Sequence, residues 1–230
     1  MSALPHDLQE SASLAETAYA QVKQMIFDFT LMPSDRFSES DLVQKLQLSR
    51  TPLRQALQRL AREGFVQVFP KLGWQVAPLD FDVIDELYDL RMLIECHAAQ
   101  LLANSEARAP ALQALAEAWM VPAEQRLADA VEVGTMDEDF HAALVAGSGN
   151  REMARVHLGL TDRIRIVRRL DFTKPARIAA TYDEHARILR AILRRRGDEA
   201  QRLLRAHIEQ SKLEVRHITL AALHKAHRGR

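Results

Sequence analysis

The stretch LSRTPLRQALQRLAREGFVQVFPKLGWQVAP, residues 48–78, constrains this chain more than any other. Leu53, Ala56, Leu57 and Leu60 recur at i, i+3, i+4 and i+7, so a helix from Arg50 to about Glu63 has one apolar face. Ser49 is its natural N-cap, Pro52 is tolerated in its first turn, and Gly64 stops it. FVQVF and WQVAP then read as two short strands separated by PKLG, a hairpin whose tip contains Gly73. Such a short helix must pack to persist. Upstream, Ala18, Val22, Met25, Ile26 and Phe29 follow helical spacing from Leu14 to about Phe29. Ser38 or Ser40 can cap a short second helix carrying Leu42, Val43 and Leu46, and Gln47 and Leu48 make a tight turn.

Helix, helix, tight turn, helix, hairpin is the order of a winged helix-turn-helix. Opposite the apolar face of the third helix lie Arg50, Thr51, Arg54, Gln55 and Gln58. Two arginines one turn apart can each donate a pair of hydrogen bonds to guanine O6 and N7. Ser49, Thr51 and the backbone N–H groups of the helix start suit phosphate oxygens. The chain has 31 Lys+Arg and 31 Asp+Glu, so bulk charge gives no affinity for polyanions. A nucleic-acid site therefore needs local segregation. Between positions 45 and 71 the chain supplies it: Lys45, Arg50, Arg54, Arg59, Arg62 and Lys71 face Glu63 alone. A solvated charged face is the ordinary reading of such arginines; the turn, the cap and the hairpin in sequence favour DNA.

Past Pro78 only helices are predicted, over about 80–104, 108–129, 134–146, 150–170, 176–196 and 198–224. The fold class is thus mostly α. A flexible polar arm is expected over 1–13, a winged helix-turn-helix domain over 14–79, and an all-helical bundle for ligand binding and dimerisation over 80–230. The single cysteine, Cys96, excludes an internal disulfide and suits a reducing compartment. No membrane-length apolar run and no secretory signal is visible, so a cytoplasmic location is expected.

Inside the helical half, Asp137 and His141 are four apart and share a helix face with Phe140, Leu144 and Val145. His185 precedes Ile188, Leu189 and Ile192, and His207 lies beside Leu203, Leu204 and Ile208. Three helices each offer imidazole or carboxylate toward one interior, and these are normal ligands for zinc, nickel or manganese. Taken singly, each histidine reads as a hydrogen-bonded core residue, and the Asp137–His141 pair as a helix salt link. His97, His157, His217, His224 and His227 show no comparable pattern.

The segment LSRTPLRQALQRLAREGFVQVFPKLGWQVAPL resembles the DNA-binding domain of GntR-family transcription regulators, a resemblance covering about 14–79. It implies that Arg50 and Arg54 contact operator bases, that Thr51 contacts the DNA backbone and that Gly73 enters the minor groove. Ser49, Gln55, Arg59 and Lys71 complete the expected DNA-binding set. Two departures stand out: Ser40 occupies a position where the family usually has arginine, and Gln47 replaces the glycine of the turn. DEDFHAALVAGSGN and YDEHARILRAILRRRGDEAQRLLRAHIEQ resemble the effector domain of the FadR subfamily, called FCD, over about 80–225. That resemblance implies a divalent metal held by Asp137, His141, His185 and His207, zinc first, with nickel or manganese as alternatives. Arg91, in LYDLRMLIE, matches an R-x-x-x-E pattern of the family, and its fork could bind an effector carboxylate. A plain i, i+4 pair with Glu95 is the competing reading. Arg163, Arg165, Arg168 and Arg169 can add anion contacts, but the basic outer face of an amphipathic helix is the favoured reading.

The expected function is a ligand-responsive regulator, a repressor that a small carboxylate metabolite releases from double-stranded operator DNA, acting as a homodimer away from any membrane. A metalloenzyme is the alternative class, since two histidines and a carboxylate can form an open iron site. No acid–base constellation, P-loop, dinucleotide turn, G-x-S-x-G or H-E-x-x-H accompanies it, so no enzyme activity is expected. A constitutive architectural DNA binder would leave the interior polar cluster unexplained.

Overall fold

A computed structural model describes residues 6–28, 30–69, 73–105, 110–171 and 175–228. The chain divides into two compact units, Met1–Asp80 and Phe81–Arg230.

In the first unit, α1 runs His6–Phe27, α2 Glu39–Leu46 and α3 Arg50–Arg62. The polar arm expected over 1–13 is thus helical from His6 onward. Its residues are adequate helix formers. Ser38 caps α2 with a full capping box: its hydroxyl accepts from the Asp41 backbone, and the Asp41 carboxylate accepts from the Ser38 backbone. Gln47 ends α2 in the left-handed region, at φ 54°, where glycine carries no steric penalty. The predicted face of α3 is buried, with Leu53, Leu57 and Leu60 fully enclosed beside Ala56, and α3 packs chiefly on α1.

The expected hairpin is β2 (Val66–Phe69) and β3 (Gly73–Val76), antiparallel with Val68 opposite Trp74 and Phe69 opposite Gly73. A third strand, β1 (Arg36–Phe37), was not foreseen; it pairs with β3 in the order β1-β3-β2. Gly73 opens β3 rather than forming the tip. Its φ is +96°, and a Cβ there would lie 2.6 Å from the Phe37 carbonyl, so close approach of β1 demands glycine.

The second unit is helical throughout its described residues: α4 (Phe81–Asn104), α5 (Pro110–Trp119), α6 (Ala130–Gly147), α7 (Arg151–Asp171), α8 (Pro175–Leu193) and α9 (Gly197–Arg228). The single helix expected over 108–129 is shorter. It ends at Trp119, before Pro122, which can neither donate a helical hydrogen bond nor leave its predecessor helical. A short 3-10 turn at Ala123–Gln125 leads on to α6, which Asp129 caps. Helices α4 and α9 pack closely together, and α6, α7 and α8 contribute to the same interior. No described helix is long and apolar enough to cross a membrane.

Candidate metal centre and DNA-reading helix

Asp137 and His141 arrive on one face of α6, His185 on α8 and His207 on α9, and all four are buried. One ligand atom from each lies within 4.8 Å of the others. They form a ring: His141 Nε2 to His207 Nε2 3.2 Å, His207 Nε2 to His185 Nε2 3.4 Å, His185 Nε2 to Asp137 Oδ1 3.3 Å, and Asp137 Oδ1 to His141 Nε2 3.6 Å. A metal about 2.0–2.1 Å from each nitrogen sets neighbouring ligand atoms roughly 3.0–3.4 Å apart. The ring therefore has the size of a coordination sphere.

Protonation argues the same way. His141 Nδ1 donates to Glu95 Oε2 at 2.5 Å, and His207 Nδ1 donates to Glu184 Oε2 at 2.7 Å. With those nitrogens protonated, each Nε2 presents a lone pair, and the lone pairs face one another and the Asp137 carboxylate. Such an arrangement is repulsive until a cation sits inside it. Burial, reinforced by its neighbours, pushes His185 well below the ordinary imidazole range, and burial lowers His207 to about 4, against the pull of Glu184. Both rings are neutral at pH 7, as metal ligands must be. Burial alone would raise Asp137; the Arg168 guanidinium and the neighbouring imidazoles outweigh it and hold the carboxyl well below its usual range. The four residues fit a divalent cation.

Their supports are specific. Glu95, on α4, accepts from three groups: His141, His157 Nε2 at 2.8 Å and Arg91 Nε at 2.6 Å. Although burial opposes it, Arg91 and the two histidines hold Glu95 well below the usual carboxylate range. Arg168 Nη2 donates to Asp137 Oδ2. Among the described residues His185 has no partner at Nδ1; the Phe140 ring stacks on it at 3.6 Å and Trp119 meets it edge-on at 4.2 Å. Outside His207, an open groove of about 500 Å³ between α8 and α9 is lined by Arg177, Glu184, Arg187, Leu203 and Gln210, among others.

Arg91 forms the i, i+4 pair with Glu95; it is wholly buried, and among the described residues neither Nη1 nor Nη2 has a partner. Arg168 corrects an expectation: it is buried on α7 and paired with Asp137, and among the described residues its Nη1 is also unpartnered. Arg165 pairs with Glu138 and Asp162. Glu95, His157, Arg168 and Glu184 were not singled out as supports of the site. For Glu184 its place beside His185 was the available signal; Arg168 could have been found from its spacing to Ile164 and Val167.

In the first unit, Ser49 occupies the N-cap position of α3 without a side-chain cap bond, and Ser49, Arg50, Thr51, Arg54 and Gln55 are exposed. Arg54 is held by Glu39 of α2, while Arg50 carries no hydrogen bond or ion pair among the described residues. Arg59 bonds Glu16 at 2.7 Å and Glu63 at 3.0 Å and lies 3.8 Å over the Tyr19 ring, so it is engaged with α1. Lys71 lies outside the described residues.

Residues 14–76 match the model for bacterial regulatory proteins of the gntR family, and residues 86–210 match that of the FCD domain. The Nta operon transcriptional regulator of Aminobacter aminovorans is 30% identical over 186 residues, covering 81% of this chain and 87% of that protein. The HTH-type transcriptional repressor RspR of Escherichia coli is 22% identical, with 92% of each chain covered. Among solved structures, a GntR regulator from Rhodococcus sp. RHA1 superposes with a TM-score of 0.69 at 23% identity, covering 88% of this chain and 97% of that one.

Proposed function

The chain belongs to the GntR family of DNA-binding transcriptional regulators and carries an FCD effector domain, and from that premise we propose that it is a metal-dependent, carboxylate-responsive repressor. It is a regulator rather than an enzyme. Arg50 and Arg54 read base edges of double-stranded operator DNA from the first turn of α3; Ser49, Thr51 and Gln55 hold phosphates and neighbouring edges. Exposure of that turn supports this assignment. Two copies act as a homodimer on a palindrome in the cytoplasm. The repressor sign is supported by the relative whose name carries it.

In the effector domain, Asp137, His141, His185 and His207 hold the metal, zinc by preference because three imidazoles and one carboxylate suit it. When bound, the metal supplies a Lewis-acidic position for a small carboxylate. Glu95 and Glu184 orient His141 and His207 by accepting from their Nδ1 atoms. Arg91 offers its unpartnered Nη pair to the effector. The observation that carries this reading is the four-residue ring, in which the Nε2 lone pairs of His141 and His207 face one another, together with a buried, half-satisfied guanidinium. Effector binding releases DNA only if it favours one arrangement of the paired reading heads over the other.

Fluorescence anisotropy on DNA from the chain's own promoter region tests this. Zinc-loaded protein binds that DNA more tightly than scrambled sequence, and a panel of metabolite carboxylates contains one that releases it. The double variant His185→Ala/His207→Ala should bind DNA yet ignore every acid. Equal response by the double variant would overturn the assignment of the site.

A further inference from the structure

The buried charges of the effector domain specify more than a carboxylate. Arg91, Glu95, Asp137 and Arg168 are each at most 4% exposed, and they are paired as Arg91–Glu95 and Arg168–Asp137. Those four charges cancel, as do those of the Arg177–Glu184 pair beside His207. With the coordinating imidazoles neutral, a divalent metal leaves the interior with two uncompensated positive charges, which a low-dielectric core does not tolerate.

The unpartnered donors are divided between two places. Arg168 Nη2 donates to Asp137 Oδ2, and the other oxygen of Asp137 belongs to the ligand ring, so its free Nη1 stands one carboxylate away from the metal position. Arg91 is joined to the ring through Glu95: its Nε bonds Glu95, which in turn bonds His141 Nδ1, and its two Nη atoms have no partner among the described residues. Tyr88 and Glu95 act on Arg168, and the Arg91 guanidinium lies 5.6 Å from the Tyr88 ring, so both arginines border the same part of the interior.

Building on the carboxylate-responsive reading, we infer that the effector is a small dicarboxylate. One carboxylate binds the metal and accepts from Arg168 Nη1. The second accepts from the Nη pair of Arg91 in the forked geometry that guanidinium favours. A dianion neutralises the two charges that the metal brings; a monocarboxylate leaves one of them and both Arg91 Nη groups unanswered.

Isothermal titration of the zinc-loaded full chain tests the inference, with straight-chain dicarboxylates of three to six carbons set against monocarboxylates of equal length, and inorganic phosphate as a third arm. At least one dicarboxylate should bind tenfold or more tighter than its monocarboxylate partner, roughly the loss expected for one buried charge-assisted contact. In Arg91→Met the ratio for that pair should fall to about one. The wild-type ratio does not depend on whether the variant folds. Equal binding of mono- and dicarboxylates overturns the dianion inference and leaves the carboxylate reading standing. Binding of phosphate with no organic acid overturns the dicarboxylate assignment, and binding of no anion by zinc-loaded protein overturns both.

Discussion

Arg54 and Glu39 hold one another across the helix-turn-helix: Arg54 Nε and Nη2 both reach the carboxylate, at 3.0 and 2.8 Å. Trp74 Nε1 donates to the same carboxylate from β3 at 3.4 Å. The Arg54 hydrogen bonds hold Glu39 below the usual carboxylate range. A guanidinium expected to read a base is therefore already answered by an acid, and DNA must displace that acid. In Glu39→Gln the charge competing for Arg54 is gone. Affinity for non-operator DNA should rise a few-fold, the size of a surface pair of up to about 1 kcal/mol. The slope of log affinity against log salt should steepen by roughly one. Titrations at three salt concentrations check this; an unchanged slope would place Arg54 away from the DNA.

Three arginines of α3 should separate by role. Arg50→Ala and Arg54→Ala should each weaken operator binding by about 1–3 kcal/mol with little change in melting temperature. Arg59→Ala should do the reverse. It loses two ion pairs and a stacked contact on Tyr19, worth about 1 kcal/mol together on a half-exposed side chain. Paired anisotropy and calorimetry on the three variants read the split.

Glu184 reaches the site through His207 Nδ1, and Arg177 donates to the same carboxylate. Glu184→Gln can still accept a hydrogen bond there but no longer stabilises charge on the ring. Zinc affinity should fall about 10–100-fold, as when other outer carboxylates of metal histidines are removed. Competition against a fluorescent chelator measures it, and an unchanged affinity would mean that His207 is not a ligand.

Acid should destabilise the chelator-treated chain early. Burial holds His207 at about 4 and His185 also well below the 6.5 of a free imidazole. Between those values the unfolded chain takes up protons that the folded chain refuses, so stability falls as pH falls from 6.5 toward 4. Each ring contributes a slope of about 1.4 kcal/mol per pH unit. Asp137 and Glu95, held low, act in the same direction at still lower pH. Urea titrations at pH 8, 6.5 and 5 should show a flat and then a falling stability, and His207→Gln should reduce the fall.

Legibility in the sequence followed the range of the interaction. The apolar face of α3 was readable because Leu53, Ala56, Leu57 and Leu60 are spaced by one helix's own period. Asp137 and His141 share a helix and were readable as a pair; their meeting with His185 and His207 came through resemblance, because spacing within one helix says nothing about convergence between helices. Arg168 was placed on the outer face because charge in an amphipathic helix suggests solvent, whereas pairing with Asp137, with Tyr88, Glu138 and Glu95 also acting on it, stabilises it inside. Strand β1 spans two residues and has too short a pattern to detect.

Gln47 is where the turn of the DNA-reading motif carries strain. It closes α2 at φ 54° and ψ 37°, a conformation that disfavours any side chain beyond glycine and, to a lesser degree, asparagine. The side chain is exposed. Replacing it removes the left-handed penalty while adding some unfolded-state entropy, and the first effect is the larger at such a position. Gln47→Gly should therefore stabilise the chain by about 0.5–1 kcal/mol. Because the turn sets the angle between α2 and α3 without touching the predicted base contacts, operator affinity should change less than twofold, by analogy with surface changes of under about 0.5 kcal/mol. Denaturation and anisotropy on the same preparation decide it: a destabilised Gln47→Gly would show that Gln47 makes contacts which outweigh its backbone strain.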